Sequence, residues 1–288
     1  MGAEVVTVKI ITDSTSDISS ELAKELDISV VPIYVRFDRE VYRDGVDITR
    51  DEFYKRLTAS PVHPTTSQPN PEDFTRIYKD YIGNYDGIVS IHISSKISGT
   101  CNSASLAKKT MCSPVPIEVI DSGFNSAGLW LVVTATARLA QSGASMAAVA
   151  EEARRAVKQV RMFGMFETMK YLARSGRVNK TIAGASRILN VMPLLTFKNG
   201  EIVKAGLVRT VSRGMDRICN FVEDHLPAGE LTIAHSAVPD RAQLLKNRLG
   251  ELFPEERIHV TELGSALGVH GGPGVLVAAL RRVESGGS

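Results

Sequence analysis

The sequence predicts an α/β protein of two units. Residues 1–160 form an N-terminal unit with a mostly parallel sheet and helices on both faces; residues 161–288 form a second α/β unit that contains a hairpin. Three observations predict this. Short apolar runs alternate with helical patterns through the first half, the order a parallel sheet needs because each crossover is a helix. The hairpin signal, Asn199-Gly200 between two alternating apolar runs, comes only after the texture changes near residue 160. The 288 residues, 43% hydrophobic and 23% charged, are enough for one large folded unit or two of ordinary size.

The elements follow in order. "VTVKII" reads as a first strand; no basic stretch precedes it as a secretory signal would require, and Val6 breaks a myristoylation motif. Ser19 or Ser20 then caps a helix carrying Leu22, Ala23 and Leu26, and "ISVVPIYV" reads as a second strand. Thr49-x-x-Glu52 is a capping box for a helix with Phe53 and Leu57 on one face. "PTTSQP" (64–69), bracketed by prolines, is expected to be irregular, and Asn70-Pro71 starts the next helix. "GIVSIHI", a small-residue helix after Gly99, "PIEVID", an Ala-rich helix near Ala127 to Leu139 and another from Ser145 to about Val160 complete the first half. After the hairpin come "LTIAHS", a Pro239-started helix with Leu244, Leu245 and Leu249, "RIHVTEL" and "GVLVAALRRV".

Composition excludes several function classes. A net charge of +2 gives no chain-wide basic character, so no nucleic-acid partner is expected. The longest apolar stretches, such as "LWLVVTATARLA", are too short and too polar to span a bilayer. Three cysteines without CxxC spacing suit a reducing, cytoplasmic setting, and six scattered histidines offer no metal-ligand spacing. There is no G-x-x-x-x-G-K-[ST] loop, no G-x-G-x-x-G after the first strand and no G-x-S-x-G, so neither a metal nor another cofactor is expected.

What remains is a set of hydroxyl-rich strand ends: "TDSTSD" (12–17), "SSKISGT" (94–100) and "DSGFNSAG" (121–128). Loops at the carboxyl ends of parallel strands are where such folds bind ligands, and helix N-termini there favour an anion. Each loop also fits plain helix capping, and Asp13 and Asp17 would repel an anion. Ser98-Gly99-Thr100 favours ligand contact, because the glycine lets backbone and ligand come close. The second half adds cationic groups: Arg209 at a strand end, Arg177 after a helix-ending Gly176, and His270 in "GVHGGPG", read as a sharply bent loop. His92, inside a strand pattern, reads as a core or surface histidine.

Taken together, "IITDSTSDIS", "PTTSQP", "ISSKISGTCNSA", "VIDS", "YLARSGRVNK", "VRT" and "VHGGPG" make the chain resemble the DegV family of bacterial fatty-acid-binding proteins over essentially its whole length. The resemblance implies one long-chain fatty acid bound with its tail buried and its carboxylate near the junction of the two units. It implies that Thr66 and Ser98 hold the carboxylate, that Arg209 and His270 lie beside the head group or contact phosphate or a kinase, and that Ser67, Gly99 and Thr100 add loop contacts. It also implies a protein partner: a separate ATP-dependent fatty acid kinase that converts the bound acid to an acyl phosphate, the binding protein being no enzyme itself. Gly271 stands where the family often has Thr, Val178 follows Arg177 where Ile is usual, and Cys101 replaces a common Tyr. Two other readings compete: a hydrolase or phosphotransferase using Ser98 or His270, and a protein that binds the acid only as a signal.

Overall fold

The computed structural model describes residues 6–177 and 191–283, so the motif "YLARSGRVNK" leaves the described residues at Val178. β1 (Val8–Asp13), α1 (Ser20–Glu25) and β2 (Ile28–Val31) open the chain, and Ser19 caps α1 by accepting from the Leu22 amide at 3.2 Å. The single strand expected from "ISVVPIYV" is two. Pro32 has no N–H to continue a ladder, and beyond it β3 (Tyr34–Phe37) pairs antiparallel with β4 (Glu40–Arg43), outside the parallel sheet. α2 (Arg50–Ala59) starts at the predicted Thr49–Glu52 capping box. Residues 64–69, expected to be irregular, instead carry β5 (Thr65–Ser67), antiparallel to β3 with Thr66 opposite Val35. Pro64 and Pro69 lie just outside the paired residues, so they delimit the strand without costing it a donor.

α3 (Pro71–Tyr81) has the Asn70 cap and Pro71 in its first turn. β6 (Gly87–His92), α4 (Thr100–Thr110), β7 (Ile117–Asp121), α5 (Ser126–Gln141) and α6 (Met146–Gln159) follow the predicted alternation. The second half runs β8 (Val160–Met165), α7 (Lys170–Ser175), β9 (Met192–Lys198), β10 (Glu201–Val208), α8 (Val211–Glu223), β11 (Ala228–His235), α9 (Pro239–Gly250), β12 (Ile258–Glu262), α10 (Ser265–Gly271) and β13 (Leu276–Arg282). Asn199 and Gly200 link β9 to β10 with φ of 51° and 81°, the two positive values of a type I′ turn. His270 is not in a loop. It lies in the last turn of α10, and the sharp bend comes two residues later, at Gly272 with φ 71°.

The strands form three sheets. β2-β1-β6-β7 is parallel throughout; β10-β9-β8-β13-β11-β12 is mixed; β4-β3-β5 is a small antiparallel sheet. On the parallel sheet, Ile11 and Ile88 face α3 and α4, while Ile10, Val89 and Ile91 face α5. Alternation does the same on the second sheet: Val277 and Ala279 face the α5 side, and Leu276, Ala278 and Leu280 face α8 and α9. The core therefore passes through a central helical layer, α5 and α6, that packs against both large sheets. The small sheet packs separately on α2 and α10 through Val35, Phe53, Ala266 and Val269.

Candidate functional site

α10 is the element that joins the pieces. Its N-terminus is held by two buried carboxylates from the first half: Asp17 accepts from the Gly264 amide at 2.7 Å and Asp44 from the Ser265 amide at 2.8 Å. Burial pushes Asp17 up to about 7, against the lowering effect of the Ser126 hydroxyl, the Gly264 amide and Arg50. Burial raises Asp44 as well. Along the helix, Gly268 has no side chain because Phe53 fills the place; a Cβ there would lie 2.4 Å from the Phe53 ring. This close seating aims His270 at β5.

There the imidazole meets a predicted ligand residue. His270 Nε2 and Thr66 Oγ1 are 2.8 Å apart. Burial, with Arg177 and His63 nearby, brings His270 down to about 4, so it is neutral at pH 7. Its Nδ1 is buried with no hydrogen-bond partner among the described residues. Thr66 and His270 open on a polar cavity of about 390 Å³ at the carboxyl ends of β1 and β6, also lined by Thr15, Ser67, Ser98, Gly99 and Arg177. Four of the residues predicted from "PTTSQP" and "SSKISGT", namely Thr66, Ser67, Ser98 and Gly99, therefore share one space with His270.

The "SSKISGT" loop is shaped by its own hydroxyls. Ser98 Oγ accepts from the Thr100 amide at 3.3 Å and lies 2.8 Å from Thr100 Oγ1, so buried Thr100 orients Ser98 from behind and does not line the cavity. Gly99 is small for a different reason from the one expected. Gln68 lies over it, 2.0 Å from where a Cβ would stand, and is itself held by Nε2 donating to Ser103 at 3.0 Å. Ser94 donates to the Gly200 carbonyl at 2.7 Å, tying this loop to the β9–β10 hairpin.

A second cavity adjoins the first and shares Leu267 and His270 with it. It is a narrow slot of about 60 Å³ between the central layer and the second sheet, walled by Met162, Phe166, Leu172, Phe197 and Val277. Gly271 forms part of its wall; a Cβ there would lie 3.0 Å from Val275. A polar chamber beside an apolar slot, with His270 and Leu267 common to both walls, suits an amphiphile: an anionic or hydroxylated head on one side, a hydrocarbon on the other.

The remaining candidates lie elsewhere. Arg209 is exposed just past β10 and lines neither cavity. Its neighbour Thr210 caps α8. In "TDSTSD", Thr15 alone faces the polar cavity, while Asp13 and Asp17 serve buried amides. Ser122 is absorbed by its own turn, bonded to Phe124. His92 is a core residue: Ser90 Oγ is 2.6 Å from its Nε2 and Asp13 Oδ2 is 3.1 Å from its Nδ1. The connectivity is that of a serine–histidine–aspartate relay, yet Ser90 and His92 are 0% exposed and Tyr78 donates to Ser90 at 3.0 Å, so no substrate reaches it. Sequence reasoning missed Gln68 and the apolar walls, and took Arg177 only for a helix end. Among the described residues no helix is long and apolar enough to cross a membrane, and no group of three or more His, Cys, Asp or Glu side chains is arranged to hold a metal.

Comparison with known proteins agrees with the fold. Residues 7–282 match the model of a family described as "Uncharacterised protein, DegV family". A DegV domain-containing protein of Caldanaerobacter subterraneus subsp. tengcongensis is 32% identical over 269 residues, covering 92% of this chain and 95% of that one. Among solved structures, a DegV family protein from Thermus thermophilus, described as binding fatty acid, superposes with a TM-score of 0.88 at 31% identity, over 96% of this chain and all of that one. DegV of Bacillus subtilis, described as a fatty acid binding protein, gives 0.86 at 27% identity, over 96% of this chain and 99% of that one.

Proposed function

The chain belongs to the DegV family, and from that premise we propose that it binds a single long-chain fatty acid, with the carboxylate in the polar cavity and the tail in the apolar slot. The observation that carries this reading is the adjacency of the two cavities, whose walls share His270 and Leu267. Each methylene buried contributes about 0.8 kcal/mol, so the tail supplies most of the affinity. The slot of about 60 Å³ is narrow, and the flexible or flat side chains among its walls, Met162, Phe166 and Phe197, move apart to admit a chain.

At the head group, Thr66 and Ser98 donate to the carboxylate. A neutral His270 suits this role, because its Nε2–H donates to Thr66 Oγ1 and leaves the threonine proton free for the ligand. Nδ1 is then a lone pair without a donor, a less costly orphan than a buried N–H. Arg177 supplies positive charge to the same space, which lowers the cost of burying an ionised acid. Residues 1–160 and 161–288 are the two units that the ligand joins.

The protein acts as a carrier, presenting the acid to a separate ATP-dependent fatty acid kinase that forms the acyl phosphate. Ser98 supports carriage over attack: its hydroxyl is engaged by Thr100, and among the described residues no base is bonded to it. Exposed Arg209 fits contact with the kinase or the new phosphate rather than with the carboxylate. The test is uptake of a labelled fatty acid by delipidated protein. Thr66→Val and Ser98→Ala are each expected to weaken binding by about tenfold, the effect of losing one hydrogen bond to a charged group, with the fold unchanged by circular dichroism. Wild-type uptake in both variants defeats the head-group assignment.

A further inference from the structure

A second cleft, far from both cavities, lies at the other end of the mixed sheet. α5 and β13 span the distance: Ser126 and Val277 line the apolar slot, whereas Arg138 and Arg281 line this cleft. Ser126 and Arg138 are twelve residues apart on one helix, or about 18 Å. The cleft encloses about 620 Å³, within the usual size range of small-molecule sites, roughly 300–1,000 Å³.

Its walls are cationic, although the chain as a whole carries a net charge of only +2. Arg138, Arg155, Arg257, Arg281 and Arg282 meet there with His259, against the carboxylates of Glu230 and Glu256. Three of the guanidinium groups are fixed from behind. Arg138 Nη1 donates to both oxygens of Glu230 at 2.8 Å. Arg281 is 2.6 Å from Glu152 and donates to Gln159 at 2.8 Å, and Arg155 shares Glu152. Burial pushes Glu230 up, but His259 and Arg138 outweigh it and hold that carboxyl below its usual range. Arg257 and Arg282 have no ion-pair partner among the described residues. Five guanidinium groups around one space repel one another, and the carboxylates present leave that repulsion only partly cancelled.

We propose that this cleft is a binding site for a small molecule carrying a diphosphate, with Arg257 and Arg282 as its free donors and Arg138, Arg155 and Arg281 as donors already oriented. A phosphate offers tetrahedrally placed oxygens and charge beyond a single unit, so it accepts from guanidinium groups arriving from several sides, as these do. A planar carboxylate satisfies one such fork at a time.

The protein carries its own probe. Its one tryptophan, Trp130, packs at a tilt against His259 with ring centroids 4.7 Å apart, so an occupant of the cleft changes the indole's surroundings. The test is titration of the full chain with inorganic pyrophosphate and, separately, with ADP, reading Trp130 fluorescence and thermal stability, with citrate as the carboxylate control. Saturable binding below about 1 mM is expected for a preformed site of this charge, weakening as salt is raised. Arg257→Ala/Arg282→Ala, which removes two exposed side chains with no ion-pair partner among the described residues, is expected to weaken it at least about tenfold while leaving fatty acid content unchanged. Tighter binding of ADP than of pyrophosphate assigns the site to a nucleotide; equal binding assigns it to the bare phosphate groups. The proposal is overturned by no response to either phosphate compound, by equal binding in the double variant, or by citrate binding as tightly as pyrophosphate.

Discussion

At the scale of single residues, the site depends on buried groups whose protonation is set by desolvation. Asp17 is the clearest case. Its carboxyl is pushed up to about 7 by burial, and of the charged groups around it Arg50 lowers it and Asp44 raises it. Below its ordinary value of 3.8 the folded and unfolded chains both hold the proton; between that value and about 7 only the folded chain does. Its contribution to stability is therefore full in acid, is lost as pH rises through this window, and is flat above it. Asp17→Asn keeps an oxygen for the Gly264 amide and removes the titration. Urea unfolding of both proteins from pH 4 to 8 is expected to show wild type losing ground to the variant by up to roughly 4 kcal/mol; a constant difference contradicts the assignment. None of this was legible in the sequence. "TDSTSD" read as a cap more readily than as a ligand loop, and nothing local says that Asp17 meets a helix more than two hundred residues away. The hydroxyls were more legible: Ser98 stood out in a hydroxyl-rich strand end and Thr66 through the family resemblance, and both share a cavity with His270.

At the scale of elements, α10 links the small sheet, α2 and both cavities, and a glycine sets its position. Gly268→Ala puts a Cβ 2.4 Å from the Phe53 ring and 3.0 Å from the Tyr54 hydroxyl, both on α2. The helix must shift away, and overpacking of this kind costs about 1–3 kcal/mol. Denaturant unfolding is expected to show that loss at unchanged m-value, together with reduced fatty acid retention as His270 leaves Thr66. Stability and retention equal to wild type contradict a fixed seat for α10. The sequence announced helices better than it announced this small layer. The capping box at Thr49, the Asn70 cap and the Asn199-Gly200 turn act within four residues and were read correctly. β3, β4 and β5 are three or four residues each, too short for a periodic signal; β3 and β4 make a local hairpin, but β5 reaches β3 only from about thirty residues along the chain. Prolines that looked like breakers around β5 turned out to be its boundaries. His270 read as a loop residue because four glycines surround it, yet Gly268 serves close helix packing and the bend comes after the helix, at Gly272 and Gly274.

At the scale of the whole molecule, the two large sheets share one helical layer; the polar cavity lies where loops of the first half meet α10, and the apolar slot where α10 meets strands of the second. The alternation of strand and helix made the α/β class legible. The apolar slot was not, because its walls are ordinary core residues contributed by α7, α10 and four strands, and no spacing marks them. A ligand held by both halves binds the folded chain alone, so saturation with fatty acid is expected to raise the unfolding midpoint, by mass action, in proportion to the logarithm of free ligand. The most direct test of carriage is native mass spectrometry of gently purified protein, followed by lipid extraction. One adduct per chain at the mass of a long-chain fatty acid is expected. A chain that carries no such adduct, and takes up none when fatty acid is added, contradicts carriage.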